Sequence, residues 1–177
     1  MIEPQPAAES EFARWVDIRA IDEAPLVLSA TPAEAAALAH RFGIVAIHRL
    51  EATVALARDG AMVTVQGRLL ADIVQSCAIS AEDIAVAVNE PLDFRFVPAS
   101  HHRPDEEMEL TAQECDEIDF SGTRFDLGEA VAQSLALAID PFLEGPDADR
   151  VRRQVGLAEP QATGAFAALA ALKRSKD

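Results

Sequence analysis

Tyrosine is absent from this chain, tryptophan occurs once and phenylalanine eight times, so aromatics make up only 5% of 177 residues. Alanine, valine, leucine and isoleucine must therefore supply most of the core, and few rings are left to stack on nucleic-acid bases. Cationic side chains are scarce as well: 15 Lys and Arg face 30 Asp and Glu, a formal net charge of -15. That sign repels phosphate backbones at long range and favours basic protein partners. The arginines are mostly scattered singly, with clusters only at Arg150, Arg152, Arg153 and at Lys173, Arg174, Lys176. Cysteine occurs twice, as Cys77 and Cys115, far apart and in different contexts, which suits free thiols in a reducing compartment better than a bridge. No apolar run approaches the length of a bilayer span, and no charged-then-apolar leader opens the sequence, so the expectation is a cytoplasmic chain.

Against these shortages, the chain shows clear punctuation. Residues 1–11, "MIEPQPAAESE", have nothing periodic to bury and are expected to form a flexible N-terminal arm. Residues 12–145 are expected to form one α+β domain, with an acidic excursion at 101–119, and residues 146–177 a C-terminal helical tail. "FARWVDIRAI" alternates like a strand from Phe12, and "PLVLSA" reads as a second, short one. "TPAEAAALAHRFG" carries Thr31 as N-cap, Pro32 in the first turn, Glu34 at the capping-box position and Gly43 past the end, which predicts a helix. Two alternating stretches meet around Asp59-Gly60, a two-residue hairpin signal. "EDIAVAVNEPLDFRFVP" predicts a long strand broken or bent at Pro91. Strands that follow one another through short links, with two or three helices at the flanks, imply an antiparallel sheet that is either open or curled into a partly closed barrel.

The segment "DFSGTRFDLGEAVAQSLALAIDP" contains the acids that most resemble a chemical site. Asp126 stands where it can cap the first free amides of a helix, and Glu129 where it can reach back. Both anions suit the positive end of the helix dipole. Leu127, Val131, Leu135 and Ala138 then recur at helical spacing as a buried stripe, until Pro141 ends it. These acids are expected to be structural rather than catalytic, since general acid–base work needs a pair held across a cleft. The excursion contains Asp105, Glu106, Glu107, Glu109, Glu114, Asp116, Glu117 and Asp119, without the alternating acids and central glycine of a calcium loop, and is expected to be a solvated surface. "QSCAIS" offers Cys77 but Ser80 where a zinc knuckle would place its second thiol, so no metal is assigned. No phosphate loop and no Ser-His-Asp order appears. Neither a catalytic residue nor a cofactor is assigned. In the tail, Phe166, Leu169 and Leu172 share one helical face ahead of Lys173, a stripe that can dock on its own domain or on a partner.

"GRLLADIVQSCAIS…VNEPLDFRF", followed by an acidic gap and "DFSGTRFDLGEAVAQSLALAIDP", resembles the YceD family of large ribosomal RNA subunit accumulation proteins. It resembles the alphaproteobacterial branch in particular, which shares the "FAALAALK" ending at Phe166–Lys173. Cys77 matches the family's cysteine, and Asp126, Leu127, Gly128 and Glu129 match its "DLGE" segment. Several relatives read C-x-x-C at the first motif, whereas this chain has Ser80 at the second position. The resemblance implies a part in large-subunit ribosomal RNA processing or accumulation and carries no catalytic residue. Three functions follow as expectations: an accessory that binds a basic ribosomal protein or assembly intermediate; direct RNA binding through Arg150, Arg152, Arg153 and the tail; and a metal-assisted nuclease using Asp116, Glu117 and Asp119.

Overall fold

The computed structural model describes residues 10–22, 24–99 and 116–156. In chain order the elements are β1 (Trp15–Asp17), a 3-10 turn (Ile18–Ala20), β2 (Leu26–Ser29), α1 (Pro32–Phe42), β3 (Ala46–Asp59), β4 (Met62–Ser76) and β5 (Asp83–Pro98), then β6 (Glu117–Phe120), β7 (Arg124–Asp126), α2 (Leu127–Ala138) and α3 (Ala148–Gln154). The fold is α+β. It divides into two compact units, residues 1–75 with 85–140 and residues 76–84 with 141–177. The expected boundary near 145 thus falls inside the second unit. Hydrogen bonds explain the shift, because the β4–β5 turn is held by the chain after Pro141, with the Ala78 N–H donating to the Leu143 carbonyl at 2.9 Å.

The first unit contains a five-stranded sheet in the order β2-β3-β4-β5-β6 and a two-stranded pair, β1-β7. The larger sheet is open, with β2 and β6 as its edges. β2–β3 and β3–β4 are antiparallel, and the β3–β4 register ends at Asp59↔Met62, leaving Gly60 and Ala61 as the loop. Gly60 takes φ +60, the conformation that the first position of a Gly-X hairpin needs. β5 and β6 instead run parallel. A hairpin cannot join parallel neighbours, so a long crossover is required there; residues 101–116 of the acidic excursion fall in the connection between Pro98 and Glu117, whereas its last three, Glu117–Asp119, belong to β6 and are not loop as expected.

Three sequence expectations change. Only Trp15–Asp17 of the predicted first strand is extended, because the Asp17 carboxylate accepts the Arg19 N–H at 2.9 Å and caps a 3-10 turn instead. Pro91 does not break β5, which runs unbroken from Asp83 to Pro98. It stands four residues before Arg95, whose N–H turns to Asp116 and away from β4, so in a regular pleat the missing N–H lies on that same side and costs no bond to β4. Of the expected N-terminal arm, residues 1–9 lie outside the described residues, while Glu11 is held by Arg41 at 2.9 Å.

The core is less aliphatic than composition suggests. Phe96 stacks on Phe125 at 4.1 Å between ring centroids, with Phe94 and Phe120 edge-on at 5.7 and 5.8 Å. Leu127, Val131 and Leu135 of α2 are buried with them, and Ala138 packs at the margin. α1 forms as punctuated: Thr31 Oγ1 accepts the Glu34 N–H at 3.3 Å, Glu34 Oε2 accepts the Thr31 N–H at 2.7 Å, and Gly43 closes the helix at φ 68. Among the described residues no helix is long and apolar enough to cross a membrane.

Gly128 sits where α2 meets the N-terminal segment. A Cβ there would overlap the Phe12 carbonyl oxygen and lie 3.0 Å from the Arg14 nitrogen, both fixed main-chain atoms. Gly128→Ala is therefore expected to destabilise the first unit by about 3 kcal/mol, the upper end for an overpacked methyl, as a lowered urea midpoint at unchanged slope.

Candidate protein-binding surface

The "DLGE" acids are fastened into the fold. Asp126 Oδ1 accepts the N–H of Glu129 at 3.2 Å, capping α2, and the N–H of Arg14 at 2.8 Å. The Leu127 N–H donates back to the Arg14 carbonyl at 3.0 Å, so the glycine that follows must be side-chain-free for the two backbones to meet. Glu129 does not reach back to its own helix end as a capping-box partner. It takes the Arg41 guanidinium at 2.6 and 2.9 Å, and Arg41 also binds Glu11. That guanidinium is the main reason the Glu129 carboxyl is held down to about 2. Arg14 does the same for Glu34, which it grips with both guanidinium nitrogens at 2.8 and 3.0 Å, also to about 2.

Cys77 belongs to the second unit and is buried. Its Sγ accepts N–H bonds from Ile79 at 3.4 Å, from Ser80 at 3.3 Å and from Gly145 at 3.3 Å. The Gly145 amide contributes most and Ser80 next in drawing the thiol down to about 7. An added Cβ at Gly145 would overlap the Glu82 carboxylate and come 3.0 Å from the Ile84 side chain, both of which would have to swing aside. Three amides aimed at one sulfur stabilise the thiolate, in the way metal-binding turns do, but Ser80 supplies an oxygen in place of a second sulfur. Among the described residues no group of three or more His, Cys, Asp or Glu side chains gathers as a metal-ligand set.

The remaining predicted residues separate. Asp105, Glu106, Glu107, Glu109 and Glu114 lie outside the described residues, as do Phe166, Leu169 and Lys173. Arg150 pairs with Asp147 at 2.6 Å, and Arg152 binds Asp149 at 3.1 Å and also Glu144, so α3 holds its own counter-ions. Arg153 lies in the last turn of the same short helix. Glu117 binds Arg95 across β5–β6 at 2.9 Å, and Asp119 is likewise engaged. Asp116 stands at the start of β6, its carbonyl accepting the Arg95 N–H at 2.8 Å.

Asp116 borders a groove of about 700 Å³ between the edge of β5, the start of β6 and α2. Sequence reasoning missed it. Leu92 and Phe94 form its floor, the exposed Leu137 one wall, and Glu90 and Asp93 share the rim with Asp116. Two signals could have found it. Leu137 lies off the buried stripe of α2, and a proline within a strand marks a sheet edge.

Lowered carboxylates stabilise the fold above their unfolded value near 4.3 and cease to do so as pH falls toward about 2. Acid titration should therefore lower the urea midpoint of the native chain steeply between about pH 4.5 and 2. Glu129→Gln should start lower and lose less over the same window. A thiol lowered from 9.0 to about 7 acts with the same sign in a higher window: it adds stability as pH rises from about 7 toward 9 and none below. In a Cys115→Ser background, the ultraviolet absorbance of the Cys77 thiolate is expected to titrate near 7 in the folded chain and near 9 in urea. Comparison of the chain with protein-family models, with curated proteins and with solved structures finds no match.

Proposed function

We propose that this chain is a cytoplasmic, non-enzymatic accessory of large ribosomal subunit assembly that supports ribosomal RNA accumulation by binding a basic ribosomal protein or an assembly intermediate. The observation that carries this is how charge is distributed. Arg14, Arg19, Arg41, Arg49, Arg95, Arg150 and Arg152 are each held by carboxylates of their own unit, on elements spread through the fold. Cations tied up in this way are poorly placed to meet a phosphate backbone. Glu90, Asp93 and Asp116 face solvent with no ion pair among the described residues. The surplus of negative charge is what an approaching partner meets, and it would raise the encounter rate with a cationic protein while keeping RNA at a distance. The YceD resemblance supplies the ribosomal context, and Asp126, Gly128 and Glu129, fastened as described, need no catalytic role to explain them.

Purification of the tagged chain from cells at low salt should recover a basic large-subunit protein or a large-subunit precursor. Its yield should fall about tenfold as salt is raised from roughly 50 to 300 mM, because the Debye length shrinks below the spacing of exposed charges. Recovery of neither at low salt would end the proposal, and nuclease-sensitive recovery of naked RNA would favour the RNA-binding alternative.

A further inference from the structure

We infer that the groove along the open edge of β5 receives an extended, basic segment of a partner protein as an added strand. This deepens the function proposed above and rests on it, since it names where and in what conformation the cationic partner is held.

β5 lies between β4 and β6, yet β6 pairs only Arg95–Pro98. No described residue continues the pairing before Arg95. Leu92, Phe94 and Phe96 are buried while Asp93 between them is exposed, the alternation of a regular pleat over this stretch. The main-chain groups of Asp93 and Pro91 then face the same side as Arg95, whose N–H points at Asp116. An exposed row of this kind is a template for strand addition.

What lines the groove restricts the visitor. On the side facing α2, a side chain of the added strand would meet Leu92, Phe94 and the 88%-exposed Leu137, an apolar surface with nothing described upon it. Glu90 and Asp116 close that side, and Asp93 stands on the opposite face of β5. Glu117, already neutralised by Arg95, drops out of the charge balance. An alternation of aliphatic and basic residues fits both faces, whereas the acids that precede β6 in sequence would be repelled by the same rim.

The probe is a short synthetic peptide alternating arginine and valine, measured against the full chain by titration calorimetry beside two controls: the same peptide with its ladder-facing amides N-methylated, and an oligoarginine of equal charge. The alternating peptide should bind at least about tenfold more tightly than either control. Glu90→Lys with Asp93→Lys, and separately Leu137→Asp, should each weaken it about tenfold, while Asp59→Lys at the far hairpin should leave it unchanged within about twofold. Because all these positions are exposed, unchanged melting confirms that the variants fold. Equal binding of all three peptides, or no effect of the groove variants, would overturn the site and leave the basic-partner proposal standing. Failure of the chain to bind any cationic peptide or protein would remove both. Two further outcomes also overturn the inference. A shift of mass in light scattering for Leu137→Asp, with peptide affinity unaltered, gives the face to a second copy. Tighter peptide binding by Leu169→Asp gives it to the chain's own tail.

Discussion

Arg14 is the joint on which the first unit turns. Its N–H and C=O meet Asp126 and Leu127 at the start of α2, and its guanidinium grips Glu34 in the first turn of α1 while donating to the Ser29 carbonyl at the end of β2. One residue therefore ties both helices to the sheet's opening strand. The guanidinium also lies 4.4 Å above the buried Phe12 ring, so its stem and plane pack while its charge is satisfied. With α2 set at this angle its far end, around Leu137, remains beside the β5 edge instead of covering it. The groove is a by-product of where the helix is pinned.

How much of this could be seen in the sequence depended on whether the signal was local. The Thr31–Glu34 capping box, the Gly43 stop, the hairpin at Gly60 and the Asp126 cap are all written within a few residues, and each formed. The α+β class with flanking helices followed from the same punctuation. What was not legible lay in long-range partners. Alternation from Phe12 to Ile21 promised a strand, but Asp17 found a nearer bond to Arg19. Glu129 was placed as a capping acid, yet its partner is Arg41, 88 residues away in sequence. Nothing near Glu117 announces a parallel pairing with Arg95, because parallel register is set by the crossover and the buried faces of Phe96 and Ile118 rather than by a turn. The groove was hidden for the same reason: its floor, wall and rim come from three elements that the sequence keeps apart.

The second unit shows a different economy. A turn between two strands holds one sulfur under three amides, with Ala81 at φ 58 completing the bend and the Cys77 N–H donating to the Glu82 carbonyl at 2.7 Å. Left-handed backbone at alanine costs about 1 kcal/mol, and the ring of hydrogen bonds around Cys77 and Gly145 offsets it. The result is an anion preference built from main-chain amides together with Ser80, independent of the scattered arginines.

Pro91 has one more effect. A foreign strand laid beside Asp93 meets an N–H there, then a position that offers only oxygen, so a hydrogen-bonded ladder stalls after a rung or two. The exposed border can thus accept a brief visitor yet resists the open-ended stacking by which bare strands grow into fibres.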